Sequence, residues 1–225
     1  MTTEPGRPGL YRLLAWTSPA FPTGGFSYSH GLEAATTDGA VHDRESLRRW
    51  IAAVVANGSG RLDADILRDS WRAAAAGDEA ALAEINRRGC AYRTSAELAL
   101  ESNQQGTAFV AACEAAWAGA AGVYADEVCH AAVFGAAAAR AAIALNDALT
   151  GYLQALAANL MSAGLRLGII GQNDGQRILA ALEPVIAAAV AASLARGVEE
   201  LGAATFAADL ASMAHETQYS RLFRS

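Results

Sequence analysis

The chain has 225 residues, enough for one substantial core. It is 53% apolar and 18% charged. Alanine dominates and strong β-formers are sparse, which predicts an all-helical protein. The formal charge is −6 and all 17 basic residues are arginine, with no basic run, which argues against sequence-independent nucleic-acid binding.

Residues 1–8 read as a disordered lead-in. Leu10, Leu13, Leu14 and Trp16 begin a first helix that should end at Pro19. Residues 18–33, SPAFPTGGFSYSHGLE, interrupt the helical pattern. Pro19 and Pro22 disfavour helix, and Gly24 and Gly25 permit turn geometries, so the chain should turn through 19–25. A second helix is predicted from about Tyr28 to Thr36, with Ser27 or Ser29 as its cap. Phe21, Phe26 and Tyr28 place three aromatics in this turn, and His30 and Glu33 follow. A glycine-rich turn opening a helix can hold phosphate. The phosphate-loop pattern needs a lysine, however, and the chain has none. The stretch therefore reads as a structural or docking turn.

Asp38-Gly39 breaks the second helix, and Asp43 caps the next. There Leu47, Trp50, Ile51, Val54 and Val55 form one apolar stripe that ends at Asn57-Gly58. Leu62, Ile66, Leu67 and Trp71 give the following stripe, with Asp63, Asp65, Arg68, Asp69 and Arg72 as its expected wet face. Gly77-Asp78 is a stop followed by a cap. Thr94 and Glu97 have capping-box spacing for a helix over about 95–117. Gly119 and Gly122 mark a loop. Helices are predicted at 126–143, at 146–168 and beyond the 171–175 turn. Pro184 should either kink that last helix or start a new one. Gly202 closes the segment, and a final helix covers about 205–214. The charge-free run 184–195 is too short and too alanine-rich to span a bilayer. The polar N-terminus lacks the apolar core of a signal peptide. No linker or fixed-period repeat is visible, so residues 1–225 read as a single domain of about nine or ten helices.

No catalytic or metal-binding set emerges. Cys90, Cys113 and Cys129 form no CxxC pair and read as buried free thiols. His30, His42, His130 and His215 lack partners at ligand spacing, and the adjacent Cys129 and His130 point in different directions on a helix. Glu97 and Glu101 share a helix face, expected to be solvated or interfacial. Ser27, Tyr28, Ser29 and His30 contain a nucleophile and a base, but no nucleophile elbow. A helical enzyme using Tyr28, His30 and Glu33 is the alternative, and it would need a deep polar pocket near residue 30. A DNA-binding regulator would need a basic recognition helix, which is missing. The segment 215–225, HETQYSRLFRS, combines arginines with aromatics, residue types enriched at interfaces. It therefore reads as a docking tail.

Residues 18–33, 92–106 (YRTSAELALESNQQG), 152–163 (YLQALAANLMSA), 167–177 (LGIIGQNDGQR) and 215–225 together resemble the urease accessory protein F (UreF) family. The resemblance implies an all-helical cytoplasmic homodimer with no tightly bound cofactor. It implies a complex with the urease accessory D protein, also called H, and with the GTPase G, which binds the GTP. That complex delivers nickel to apo-urease. Neither nucleic acid nor a membrane is implied as a partner. It implies further that the tail, 215–225, orders when the D protein binds, and that Arg221 holds the family's tail-arginine position. The expected partner-binding residues are Tyr219, Arg221, Phe223, Arg224, Phe26, Tyr28 and Glu33, with Pro22, Gly24 and Gly25 forming the turn.

Overall fold

The computed structural model describes residues 8–122, 124 and 127–225; the lead-in 1–7 lies outside them. Ten α-helices and no strand occur among the described residues: α1 Pro8–Trp16, α2 Leu32–Thr37, α3 Arg44–Asn57, α4 Ser59–Ala76, α5 Glu79–Ala91, α6 Ala96–Ala116, α7 His130–Arg140, α8 Leu145–Arg166, α9 Gln172–Ala195 and α10 Phe206–His215. Short 3₁₀ turns sit at Gly25–Ser27 and Val198–Glu200. The all-helical expectation therefore holds.

The centre is α7, most of which is buried: Ala131, Ala132, Val133, Phe134, Gly135 and Ala136–Ala138 all lack solvent. Its small side chains let α4 lie directly against it. A Cβ on Gly135 would meet the Leu67 carbonyl closer than any real Cβ approaches one. The apolar stripes of α3 (Leu47, Ile51, Val54, Val55), α8 (Leu149, Leu153, Leu160) and α9 (Ile178, Leu182, Ile186, Val190) close the core around this pair. An aromatic cluster anchors the 17–26 turn to it. Trp16 meets Phe109, Phe134 and Trp117 edge-on at 5.6–6.1 Å between centroids. Phe21 stacks on Trp117.

Asp43 caps α3 as expected, accepting from the Ser46 N–H at 2.8 Å. Asp78 caps α5. Other boundaries differ from expectation. The second helix begins at Leu32, not near Tyr28, because His30 (φ 60°) and Gly31 (φ 77°) both take the left-handed conformation. The N-cap position is Gly31 rather than Ser27 or Ser29, although the Ser29 hydroxyl two residues earlier accepts the Glu33 N–H at 3.2 Å. The cap of α6 is Ser95 rather than Thr94, and Glu97 turns away to other partners. Of the helix expected at 126–143, residue 126 lies outside the described residues and α7 spans 130–140 of the rest. Pro184 lies inside a continuous α9 that starts at Gln172, within the expected turn. By length and composition α9 could cross a membrane; here one face packs in the core.

The largest correction concerns α4. Its expected wet face is wet only at Arg72: Asp63, Asp65, Arg68 and Asp69 are all buried, Arg68 almost completely. Helix α4 is enclosed by α3, α5, α7, α8 and α9, so its charges pair with one another. Arg68 contacts Asp65 at 3.3 Å and Asp69 at 2.7 Å, and also donates to the carbonyls of Ser193 and Arg196. Asp65 further accepts from Ser193 Oγ at 2.8 Å and Arg196 Nε at 2.9 Å. The network ties the end of α9 to α4. Breaking a buried ion pair from one side leaves charge uncompensated, which typically costs about 3–5 kcal/mol. Asp65→Ala, removing the carboxylate that Arg196 and Arg68 share, should lose about that much in urea unfolding; a loss under about 1 kcal/mol would show that the network is not structural.

Candidate functional site

Two stretches of low helicity, the 17–31 turn and the 216–225 tail, meet against α2 and α6. Helix α10 prepares the meeting by crossing α2 at Gly31. A Cβ there would stand 2.7 Å from the Ser212 nitrogen, so only glycine combines this close approach with a positive φ. The N-terminal end of α6 flanks α10 on its other side. Ser95 and Ser212 share a hydrogen bond at 2.7 Å, and Glu216 accepts the Ala96 N–H at 3.0 Å.

His215 ends α10 fully buried. Its Nε2 lies 3.1 Å from Glu33 Oε2, and its Nδ1 lies 2.8 Å from Glu97 Oε2. Each carboxylate also holds the tail. Glu33 accepts the N–H of Leu222 at 2.7 Å and of Phe223 at 2.9 Å. Glu97 Oε1 takes Arg221 Nη1 at 2.8 Å. Beyond this point Phe223 is buried, with the Arg166 guanidinium 4.1 Å from its ring centre. The Arg224 N–H reaches the Ser27 carbonyl at 2.8 Å, and the Ser29 N–H reaches the Ser225 carbonyl at 2.6 Å. Tail and turn thus share backbone hydrogen bonds.

A second chain of groups runs beneath. Ser225 Oγ donates to Glu101 Oε2 at 3.0 Å, and the same oxygen faces His30 Nδ1 at 3.1 Å. His30 Nε2 lies 2.6 Å from Ser59 Oγ. Burial works against a charged His30, but the Glu101 charge and hydrogen bond, helped by Asp63, outweigh it and raise its pKa above the ordinary 6.5. On the next layer, burial pushes His130 down to about 4, so it is neutral at physiological pH. Gln104 Oε1 accepts from both the Tyr28 hydroxyl and Arg224 Nη1, at 3.0 Å for the latter. Burial raises the Tyr28 pKa despite Arg224 nearby.

The structure therefore brings Tyr28, Glu33, Arg221, Phe223 and Arg224 into one assembly. It leaves Phe26 and Tyr219 on the surface, Tyr219 without any cover. Gly24 takes a left-handed conformation before the Gly25–Ser27 turn, and the Gly25 carbonyl accepts from Asn159 Nδ2 at 3.0 Å. Sequence reasoning missed His215, Gln104 and the buried state of Glu97 and Glu101, which it expected on a solvated or interfacial face. One signal was available: Glu97 and Glu101 share a face with Leu98 as neighbour, on a helix with no basic residue to solvate beside them.

Tyr28, His30 and Glu33 do not converge. Their polar atoms turn to Gln104, to Glu101 and Ser59, and to His215 and the tail. The cavity beside His30 is about 20 Å³, room for one water. A larger cavity of about 270 Å³ lies between the 16–26 turn and α8.

Two buried carboxylates of this helical scaffold, Glu33 and Glu97, thus hold its own tail. The UreF family model matches residues 41–183. The urease accessory protein UreF of Granulibacter bethesdensis is 47% identical over 229 aligned positions, covering 100% of this chain and 97% of that protein. Those of Bradyrhizobium sp. (strain ORS 278) and Rhodopseudomonas palustris (strain BisA53) are 46% and 44% identical, each over 96% of this chain and 92% and 93% of the relative. The chain belongs to the UreF family, whose members are named accessory proteins and not enzymes.

Ordering residues 221–225 costs about 5–10 kcal/mol at ~1–2 per residue. Burying Phe223 returns about 2–3, and each amide donated to a carboxylate about 1.5–3. The ring and the two amides together return about 5–9 against that cost, so the tail sits close to energetic balance. Glu33→Gln, which keeps the shape but puts an amide donor where an acceptor is needed, should abolish exchange protection of the Leu222 and Phe223 amides. Protection in α7 should persist. Retained tail protection in that variant would show that Glu33 does not hold the tail.

Proposed function

We propose that this chain is a scaffold of urease maturation, recruiting the urease accessory D protein and the GTPase G into one complex that inserts nickel into apo-urease. The observation that carries the reading, beside family membership, is the shared surface of tail and turn. Its buried residues are locked, while Tyr219, Leu222, Phe26 and the Arg224 side chain stay outside. Exposed aromatic and arginine side chains on a fixed backbone are what a partner can use as anchors. Nickel is cargo and GTP belongs to the partner GTPase; the chain itself supplies shape and pairs with a second copy across its apolar helix faces in the cytoplasm.

Glu33 enters this reading differently from a direct polar contact to the GTPase. Its side chain is buried under the tail, so it acts by presenting Arg221 and its neighbours. The tail sits close to energetic balance, so a partner that binds its docked form adds the stabilisation that makes one arrangement dominate. Ordering of residues 215–225 by the D protein follows from that balance. Modulation of GTP hydrolysis would then be indirect, through the geometry in which the GTPase is held.

The test is size-exclusion chromatography with light scattering on the chain alone, with the D protein, and with the D protein, the GTPase, GTP and nickel. The chain should grow stepwise into one complex that activates apo-urease. Arg221→Ala should keep the fold and weaken recruitment of the GTPase at least tenfold. Normal recruitment by that variant would remove the tail from the docking surface, and a chain that ignores both partners would overturn the scaffold reading.

A further inference from the structure

Among the described residues His215 is the one side chain hydrogen-bonded to both carboxylates holding the tail, and its surroundings specify its hydrogen-bonding form. Both of its ring nitrogens face carboxylate oxygens, at 2.8 and 3.1 Å. A carboxylate is an acceptor, so each nitrogen must bring a proton, and only the imidazolium form carries two. A neutral ring would direct a lone pair at Glu33 or at Glu97. Neither carboxylate can turn away without loss, because Glu33 also accepts two tail amides and Glu97 also accepts Arg221.

The charged groups around the ring come from three elements. Glu33 faces it from α2, Glu97 from α6, and the Arg221 guanidinium stands behind Glu97 on the tail. On α10 itself Asp209 is turned to Thr94 and the Thr205 amide, and beyond its end Glu216 is turned to Ala96. Two carboxylates against one guanidinium leave room for one more positive charge, which the imidazolium supplies at the point where both can share it.

We propose that His215 is the positioning residue of the tail: a doubly protonated imidazole that clamps Glu33 to Glu97 and so fixes both carboxylates in the pose that receives residues 221–223. The inference rests on the proposed function for its purpose, since the tail it positions is the proposed docking surface. Its structural content stands apart from any partner. Removing the imidazolium would leave two carboxylates over one arginine, and the tail would open. His30, held by Glu101 under Ser225, makes a contact of its own from the opposite side, so its ring must be assigned separately from His215 in the test.

The experiment uses the whole chain without partners. Nitrogen-15 spectra of the histidine rings read the protonation of each ring nitrogen, and hydrogen exchange reads the Leu222 and Phe223 amides, corrected for intrinsic exchange. Both His215 nitrogens should carry protons in the docked chain. His215→Gln, with one donor and one acceptor, should lower tail-amide protection at least tenfold, whereas His30→Gln should leave both His215 nitrogens protonated. A bare ring nitrogen on His215 while the tail amides stay protected overturns the proposal, as does a His215→Gln chain with an unchanged protection profile. The ring spectrum of the unaltered chain decides the matter even if the variant fails to fold. Failure here leaves partner recruitment untouched, and failure of recruitment leaves these spectra untouched, so the two readings fall separately.

Discussion

A carboxylate removed from water must find donors for its oxygens, and Glu33 finds them in the tail. The cost of leaving such a group unpartnered is several kcal/mol, a large fraction of a typical domain's stability. This makes the buried side of α2 incomplete without residues 222–223 and without His215. The same rule operates in α4, where Asp65 and Asp69 share Arg68, and at Asp63, which pairs with Arg93 at 2.8 Å and accepts from the Tyr152 hydroxyl at 3.1 Å. The alanine-rich helices give little directional information of their own, because small apolar faces pack in many registers. Buried charge pairs supply register: each has few geometries in which all its members are satisfied.

The helical class, the caps at Asp43 and Asp78 and the core stripes of α3 were legible because they depend on local chemistry. Periodicity and capping act within a few residues of chain. The burial of α4 was not legible, since it depends on how many neighbours enclose a helix. A hint lay in Asp63, which sits one turn before Ile66 and Leu67 and therefore on their apolar face. The start of α2 was misplaced because nothing local requires His30, a non-glycine residue, to adopt φ 60°. Its strain is offset by the long-range contacts with Glu101 and Ser59. Much of the candidate site was visible as an unusual turn and an unusual tail. Their meeting rests on contacts between positions as far apart as Ser29 and Ser225. The residue that joins them, His215, looked like an isolated histidine, because its partners are 118 and 182 positions away.

Seen from the site, the helices divide their labour. The α4–α7 pair and the stripes around it form a rigid base. Helices α2, α6 and α10 bring three buried ionisable groups to one point, and the tail closes over them. Rigidity below and near-balance above is the arrangement expected where a surface must be specific yet responsive to a partner. It places the variable part of the molecule at its proposed interface and keeps the core out of the exchange.

The central claim is that Glu33 acts on partners only through the tail that carries Arg221. A double-mutant cycle on assembly with the D protein and the GTPase tests it most directly, using Glu33→Gln, Arg221→Ala and the two combined. The account predicts strong coupling, with the double variant recruiting the GTPase no worse than the weaker single variant. Additive losses would contradict it, because they would mean that Glu33 and Arg221 serve the complex independently.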